Sequence, residues 1–432
     1  MDLLIAAALI ALLFILLGTG VWIGIGLLGV AWIAMELFTS RPVGDAMAVT
    51  VWGSASSWTL TALPLFIWMG EILFRTKLSE DMFKGLAPWV SRIPGRLLHT
   101  NIIGCTIFAA VSGSSAAKCA TIGKMTLPEM KKRGYPEDIT IGSLAGAGTL
   151  GLLIPPSIIM IVYGVSSDTS ITKLFIAGVF PGLMLASLFM GYVIIWALLN
   201  PEKIPQPDAA LSFAEKIHES RHLIPVVLLI SLVLSSIYVG IATATATEAA
   251  ALGVVGALVL ATVQGAMSWQ TFKDSLMGAT RLYCMIALIL AGAAFLTLAM
   301  GYIGLPRHLA EWIGGLGLTP FWLLFGLMIF YVVLGCFLDG ISMVVLTMGI
   351  ILPTVQKAGI DAIWFGIFIV LVVEMAQITP PVGFNLFVLQ GMTKREITYI
   401  AKVALPFFCL MVLAVLLVYL FPGIIIWLPS HM

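Results

Sequence analysis

Long apolar stretches separated by short polar breaks run through the whole chain. A bilayer-spanning helix needs about 20 consecutive, mainly apolar residues, and most of these stretches have that length. The pattern therefore predicts an all-α polytopic membrane protein in which residues 1–432 form one membrane unit. The stretches lie near residues 3–17, 18–38, 58–74, 98–130, 139–165, 174–199, 223–241, 242–265, 282–302, 320–352, 362–392 and 403–421.

Two apolar stretches, 98–130 and 320–352, are too long for one span and too short for two. Glycine or serine interrupts each of them near its middle. This pattern is typical of re-entrant helical hairpins, which enter the membrane and return to the same side. Because a non-helical tip at membrane depth must be covered by protein or line a water-filled cavity, both tips are predicted to lie inside the protein.

The positions of the basic residues support this layout and orient it. If both hairpins re-enter, sixteen Lys and Arg residues lie on one side of the membrane and four on the other. By the positive-inside rule the richer side is cytoplasmic, including the linker 200–222, and both termini are periplasmic. The hairpins then enter from opposite faces. The basic, amphipathic segment 75–97 is predicted to be an interfacial helix on the cytoplasmic leaflet.

Composition agrees with a membrane protein and excludes other classes. Hydrophobic residues make up 60% of the chain, charged residues 10%, and the mean hydropathy is +1.10. A soluble domain carries about 25% charged residues. The net charge of +1 gives no reason to expect a nucleic-acid partner. The five cysteines have no paired spacing and are predicted to be small buried hydrophobes.

The two halves of the chain resemble each other. The stretch TLPEMKKRG at 126–134 aligns with ILPTVQKAG at 351–359, and the same offset takes Pro155–Pro156 to Pro380–Pro381. Since the hairpins enter from opposite faces, the repeat is predicted to be inverted, with halves near 46–200 and 270–421. Inverted repeats with helices broken at corresponding positions indicate the midplane binding site of a secondary transporter.

The hairpin tips and proline-containing breaks supply the candidate site residues. Half-helix N-termini attract anionic groups, and unwound carbonyls suit Na⁺, the only metal expected here. The carbonyls just before Pro155 are predicted to face a polar cavity and bind the cation. The substrate-binding candidates are Ser112, Gly113, Ser114, Ser115, Gly340, Ser342 and Asn385. The cation-binding candidates are Gly148, Thr149, Ile154, Pro155, Asp339, Gln377, Thr379 and Pro380. Small-residue helix packing and simple proline kinks are the alternative explanations.

Three carboxylates in or near apolar stretches are further candidates, because such groups are rare in membranes and usually functional. Asp339 either binds a cation or stabilises the second hairpin tip. Glu374 either has a functional role or is a carboxylate that only accepts hydrogen bonds from a hydroxyl or a helix N-terminus. Glu248 is as well explained by an interdomain hydrogen bond as by ligand binding.

Five stretches of the chain carry recognisable motifs: AAVSGSSAAKCATIG, GTLGLLIPPSIIMIVYG, GIATATATEAAALG, GCFLDGISMVVLTMGIILPTVQKAGID and QITPPVGFNLFVLQGM. In these motifs the chain resembles the large membrane subunit (DctM-like) of tripartite ATP-independent periplasmic (TRAP) transporters, and together with the span layout the likeness covers essentially the whole chain. Departures from the family pattern are Ala246 in place of a proline and Gln377 in place of a glycine.

The resemblance implies a non-enzymatic, Na⁺-coupled importer in the bacterial inner membrane. A periplasmic solute-binding protein would deliver a small organic acid such as a C4-dicarboxylate or sugar acid. A separate small membrane subunit of about four helices would brace the large one, and a domain carrying both hairpins would move in an elevator-like way.

Two alternatives belong to other classes. The segment HESRH at 218–222 satisfies the H-E-x-x-H pattern of zinc proteases, with His218 and His222 as ligands and Glu219 as base. It lies in a polar loop next to Lys216 and Arg221, which favours a chance match. An autonomous cation-coupled carboxylate symporter of similar fold, needing no binding protein, is the second alternative.

Overall fold

The computed structural model describes residues 2–76, 78–109, 115–206, 211–221, 223–239, 246–336, 338–380 and 383–431. Every regular element in those ranges is helical, which confirms the all-α class. The first half contains α1 (Asp2–Gly18), α2 (Ile23–Phe38), α3 (Val43–Ala55), α4 (Ala62–Phe74), α5 (Leu78–Val90), α6 (Leu98–Ala109), α7 (Ser115–Lys132), α8 (Glu137–Thr149), α9 (Ile158–Ser167) and α10 (Ile171–Leu199). The second half contains α11 (Phe213–Ser220), α12 (Ile224–Val239), α13 (Ala246–Val263), α14 (Trp269–Ile303), α15 (Leu305–Gly315), α16 (Pro320–Leu334), α17 (Gly340–Lys357), α18 (Ala362–Gln377), α19 (Phe384–Thr393), α20 (Ile397–Leu420) and α21 (Gly423–Ile426).

Within the described ranges, five helices are long and apolar enough to cross a membrane, or seven when each bent helix pair is taken as one span. One such pair joins Val43–Ala55 to Trp58–Phe74 with a bend of 51°. Most of the shorter apolar helices belong to the broken or hairpin segments. Their shortness therefore reflects interruptions within span-length sequence.

Both predicted breaks are present. Helix α8 ends at Thr149 and α9 begins at Ile158, while α18 ends at Gln377 and α19 begins at Phe384. Proline removes a backbone donor and its ring clashes with the preceding turn, so neither apolar segment continues as one helix. The Ser157 hydroxyl then accepts a hydrogen bond from the Met160 backbone N–H and starts α9.

Each predicted hairpin segment contains two helices. In the first segment α6 packs against α7, and residues 110–114 between them lie outside the described ranges. In the second segment the hydroxyls of Tyr331 on α16 and Thr347 on α17 form a buried hydrogen bond of 2.5 Å. Both pairs also pack on a broken helix: α6 and α7 on α8, and α16 and α17 on α18.

The helices follow the repeat register. Helices α7 and α17 are both 18 residues long. They begin at Ser115 and Gly340, and the offset between these two positions also takes the start of α8 at Glu137 to the start of α18 at Ala362. The repeats also interlock, since α7 packs against α19 of the other repeat and α17 packs against α9. Each hairpin helix therefore rests on the second half of the broken helix from the opposite repeat.

A second group of helices is built around α14, which packs on α2, α3 and α4, while α13 joins α4 to α12. This group contacts the repeats through α14 against α17 and α4 against α9. Four helices were not predicted, namely α3, α11, α15 and α21, and the loop expected at 266–281 is mostly the first part of α14. The Ser268 hydroxyl caps α14 at Thr271 N–H, so the helix begins well before its apolar stretch.

The basic segment 75–97 does contain the expected helix, α5, which packs against α11 and α6. All five cysteines are free thiols, but only Cys105 and Cys119 are well buried. The expectation of burial is wrong for Cys284 and Cys409, which are exposed on α14 and α20. A surface that meets lipid is itself apolar, so an apolar side chain in a span does not have to be buried.

Candidate functional site

One buried carboxylate joins a hairpin helix to both broken helices. Glu374 lies in the last turn of α18, and its two oxygens accept hydrogen bonds of 2.8 and 2.9 Å from the Ser115 hydroxyl. Ser115 is the first residue of α7. The backbone N–H of Leu152, within the first break, donates to the same carboxylate at 2.8 Å. The expectation that a hydroxyl satisfies Glu374 is therefore confirmed for Ser115.

Lys118 lies one turn into α7, and its side chain is fully buried. Its Nζ has no hydrogen-bond partner among the described residues. It fills the space left by Gly151, because a Cβ on that glycine would overlap Nζ. Leu152, the neighbour of Gly151, donates to Glu374, so the ammonium lies near that carboxylate and is attracted to it electrostatically. We call Ser115, Lys118, Gly151, Leu152 and Glu374 the charged crossing.

Lys118 is not among the predicted site residues. The signal that could have found it is a lysine within an apolar re-entrant segment, since ionisable groups in membranes are usually functional and paired. Its partner Glu374 is distant along the chain and belongs to the other repeat. No local pattern connects the two residues, and only the packing of α7 near the end of α18 brings them together.

The repeat places uncharged residues at the corresponding positions. The offset between the repeats takes Ser115 to Gly340, Lys118 to Met343, Gly151 to Ala376 and Leu152 to Gln377. We call Gly340, Met343, Ala376 and Gln377 the neutral crossing. A Cβ on Gly340 would lie 2.6 Å from Val373 Cγ1 and 3.6 Å from Gln377 Nε2, so α17 begins in close contact with α18.

Asp339 stabilises the start of α17, which is one of the two roles expected for it. Its Oδ2 accepts from the backbone N–H groups of Ile341 at 3.1 Å and Ser342 at 3.3 Å. The Ser342 hydroxyl donates to Oδ1. The first N–H groups of a helix have no partner within it, and a capping carboxylate satisfies them. Asp339 and Ser342 thus bind each other at the hairpin tip.

Backbone carbonyls gather at the second break. A Cβ on Gly383 would lie 2.7 Å from the Gln377 carbonyl oxygen and 3.0 Å from that of Thr379, so both oxygens approach the same glycine. The Pro380 carbonyl accepts a hydrogen bond of 3.4 Å from Cys336 Sγ at the hairpin tip. The carbonyls of two predicted cation ligands, Gln377 and Thr379, therefore approach the same point at the second break, and the Pro380 carbonyl contacts the hairpin tip. Oxygen ligands of this type suit a hard cation.

At the first break, Gly148 and Asn385 come together although they belong to different repeats. A Cβ on Gly148 would lie 3.0 Å from Asn385 Nδ2. Both polar atoms of the Asn385 amide are buried and have no hydrogen-bond partner in the described part of the chain. Buried polar side-chain atoms nearly always have partners, so this amide marks a polar site. The neighbouring Thr149 hydroxyl donates to the Gly146 carbonyl at 2.6 Å.

The other predicted residues of the first break face a helix. A Cβ on Gly178 of α10 would lie 2.7 Å from the Leu153 carbonyl, and one on Gly182 would lie 2.7 Å from Ile154 Cγ1. Pro155 is buried. The Leu153 carbonyl therefore packs against α10, where a polar cavity was expected. Ser112, Gly113, Ser114 and Pro381 lie outside the described residues.

The zinc-protease pattern does not fall on one helix. Helix α11 ends at Ser220, and His222 lies outside the described residues. The Arg221 guanidinium is 3.1 Å from His218 Nε2. In the described ranges, no group of three His, Cys, Asp or Glu side chains is placed to hold a metal ion. Glu248 lies in the first turn of α13, where a negative charge interacts favourably with the helix dipole.

Comparison with known proteins identifies the family. Residues 10–424 match the family described as "Tripartite ATP-independent periplasmic transporter, DctM component". The chain is 32% identical to the C4-dicarboxylate TRAP transporter large permease of Pseudomonas aeruginosa, with 89% of each chain aligned. It is 32% identical to the corresponding protein of Rhodobacter capsulatus, over 98% of this chain and 99% of the relative.

Other relatives carry different substrate names. The sialic acid TRAP permease of Vibrio cholerae is 28% identical over 96% of each chain. The isethionate TRAP permease DctMQ of Oleidesulfovibrio alaskensis is 33% identical, and this chain spans 63% of its length. The solved structure of the Alcanivorax borkumensis YdaH transporter superposes with a TM-score of 0.68 at 14% identity, over 93% of this chain and 96% of that one, which shows a shared fold. The protease interpretation is therefore wrong, and the chain belongs to the DctM family, the large permease component of TRAP transporters.

Proposed function

We propose that this large permease drives the import of a small organic acid anion with the Na⁺ gradient. The observation that carries the proposal is the meeting of Ser115, Leu152 and Glu374, because it ties one hairpin and both broken helices together. Binding sites of secondary transporters are built where such broken helices meet near the bilayer midplane. Relatives named for C4-dicarboxylate, sialic acid and isethionate support the substrate class and leave its member open.

In this proposal Na⁺ binds at the second break and the anion binds at the hairpin tips. The carbonyls of Gln377, Thr379 and Pro380 supply oxygens for the cation. Asn385 and the small residues 112–114 supply donors for the anion, whose charge is also attracted by half-helix N-termini. Na⁺ is then a coupling ion that binds and leaves in every cycle.

The two packing groups support an elevator-like movement as part of this proposal. Helices α6–α10 and α16–α20 carry both breaks and both hairpins, while α2–α4 and α12–α14 form the group around them. We assign the first set to a moving domain and the second to a static frame, so that alternating access comes from one rigid group sliding past the other. A buried charge that is paired is less costly to move through an apolar surrounding than an unpaired one.

The proposal includes partners and orientation. A periplasmic solute-binding protein delivers the anion, and a small membrane subunit of about four helices braces the frame. The complex lies in the bacterial inner membrane with both termini of this chain in the periplasm, as the excess of basic residues on one side favours.

Reconstitution into proteoliposomes tests the proposal. Labelled succinate, sialic acid and isethionate are offered with the small subunit and the binding protein encoded with this chain. We expect uptake of one of them only with an inward Na⁺ gradient and both partners. Uptake without the binding protein supports the autonomous symporter instead. Equal uptake with a proton gradient alone contradicts Na⁺ coupling.

A further inference from the structure

The charged crossing holds an ammonium group where a diffusible ligand has no room. Lys118 is 0% exposed, and its Nζ occupies the space beside Gly151 without a hydrogen-bond acceptor in the described part of the chain. A substrate-binding lysine has to reach a cavity that opens during the cycle. Lys118 is instead packed between α7 and the first break. Its interaction is therefore with fixed charge, and Glu374 is the fixed charge near it, because Leu152, the neighbour of Gly151, donates a hydrogen bond to the Glu374 carboxylate.

The repeat shows that this charge is an addition to the shared framework. The position equivalent to Lys118 is Met343, which is also 0% exposed, and the position equivalent to Glu374 is Thr149. Both charges are present at one crossing, and both are replaced by neutral residues in the other repeat. The framework thus folds with or without the pair. At the neutral crossing, uncharged carbonyls gather instead around Gly383.

We propose that the Lys118 ammonium is a built-in cation that replaces an exchangeable Na⁺ at the charged crossing. It neutralises Glu374 while that carboxylate holds Ser115 and Leu152, so the first hairpin stays joined to the breaks without a bound ion. The neutral crossing has no lysine ammonium, and the exchangeable Na⁺ binds there. This inference rests on the proposed Na⁺ coupling and specifies where the coupling ion binds.

Electrostatics gives the consequence of removing the ammonium. A buried carboxylate without a counter-charge is costly in a medium of low dielectric constant. A free cation that reaches Glu374 relieves this cost, and the Ser115 hydroxyl adjoins the same site as a further oxygen. In a variant without Lys118, Na⁺ therefore binds at both crossings. One additional Na⁺ then moves with each substrate molecule.

The test variant is Lys118→Met, because methionine occupies the equivalent position in the other repeat. Uptake and ²²Na⁺ flux are measured in proteoliposomes over a range of Na⁺ concentrations. We expect weaker uptake at low Na⁺, recovery at high Na⁺, and a ratio of Na⁺ to substrate that rises by one ion. The control K118M/E374Q removes both charges and leaves no reason to bind the additional ion, so its ratio returns to that of the unmodified protein.

The outcomes separate this inference from the proposed function. If unmodified protein shows no Na⁺ dependence, the proposed function fails. If it is Na⁺-dependent and K118M keeps the same ion ratio, the built-in cation is wrong. A higher KM for substrate at saturating Na⁺ with an unchanged ratio makes Lys118 a substrate anchor and also overturns the inference. If K118M fails to assemble, the ratio of Na⁺ to substrate is measured in K118M/E374Q instead. A ratio in that variant that differs from the ratio of the unmodified protein contradicts the proposal.

Discussion

The charged and neutral crossings occupy equivalent places in the two repeats and are stabilised in different ways. Helix α7 begins with Ser115, whose hydroxyl bonds to Glu374 in the other repeat. Helix α17 begins after Asp339, which caps its own helix through Ile341 and Ser342. Among the described residues, the start of the first hairpin is held by a long-range contact and the start of the second by a local one. Equivalent backbones have diverged in the chemistry that secures them.

The difference between the two crossings distinguishes what the shared fold requires from what transport requires. Proline-containing breaks and small residues, present in both repeats, are enough to form the half-helices and bring them together. The buried charges occur in only one crossing, so the shared framework does not require them. Charges that are costly to bury and not needed by the framework are best explained by transport.

Loss of the long-range carboxylate should have the largest effect. Glu374→Ala leaves the Lys118 ammonium buried without its counter-charge, and removing one partner of a buried pair costs about 3–5 kcal/mol. The equivalent change in the other repeat, Thr149→Ala, removes one neutral hydrogen bond and costs about 1 kcal/mol. The thermal stabilities of the two variants are compared by following their thermal unfolding in detergent. Equal losses would show that Glu374 and its equivalent Thr149 do not differ in the way described.

Addition of one methyl group at the charged crossing should come next. Gly151→Ala places a Cβ where Lys118 Nζ now lies, so the buried ammonium must move. Overpacking of this kind costs about 1–3 kcal/mol. Gly191 in the interior of α10 is the control, because a Cβ there meets no atom within 4 Å. G191A is expected to retain or slightly raise stability and to keep transport, and similar behaviour of both variants contradicts the close packing of Lys118.

The local cap at the neutral crossing should have a smaller effect on stability. Asp339→Ala removes the acceptor for Ile341, Ser342 and the Ser342 hydroxyl, and loss of an N-cap costs about 0.5–2 kcal/mol. Ser268→Ala removes the cap of α14, which lies outside both crossings. We expect similar losses of thermal stability in the two variants, but reduced uptake only in D339A. Normal uptake by D339A would show that the start of the second hairpin has no role in transport.

The smallest effect is expected from an exposed ion pair that also links the two repeats. Arg395 Nε donates to Glu137 Oε1 at 2.9 Å, and this hydrogen bond holds the pKa of Glu137 below its usual value. An exposed pair contributes about 0.2–1 kcal/mol and is weakened by salt. Because the folded-state pKa is lowered, the contribution is present above the ordinary carboxylate value of about 4.3 and is lost as pH falls through the lowered value.

The variant Glu137→Gln tests this pair. Its melting temperature should lie slightly below that of the unmodified protein at neutral pH and low salt. The difference should shrink in high salt and on acidification. A difference that grows on acidification would mean that the sign of the pKa shift is wrong.

Much of the fold was predictable because it depends on local sequence. Apolar stretch length predicts the spans, and the prolines at 155–156 and 380–381 predict the breaks. The repeat register from TLPEMKKRG is matched by α7 and α17, which begin at equivalent positions of the two repeats. Amphipathic α15 and α3, the first part of the bent pair at 43–74, were missed, since neither is a single apolar run of span length.

The site was predictable only in part. Asn385 and Gly148 were selected separately, but their contact depends on packing between repeats. Lys118 and Glu374 meet for the same reason, and no spacing rule relates residues so far apart. The local capping role of Asp339 follows from its position before a helix, which sequence does indicate. Long-range contacts are set by the tertiary packing of many helices and cannot be read from one segment.

A native thiol tests most directly whether the neutral crossing holds the exchangeable cation. Cys336 is partly exposed and donates to the Pro380 carbonyl, while Cys105 and Cys119 are buried. In a variant with Cys284 and Cys409 replaced by Ser, the rate of maleimide labelling at Cys336 is measured in Na⁺ and in K⁺ at equal ionic strength. If the cation binds at the neutral crossing, Na⁺ slows labelling in a saturable way and K⁺ does not. Identical labelling rates in the two salts would contradict cation binding at that crossing.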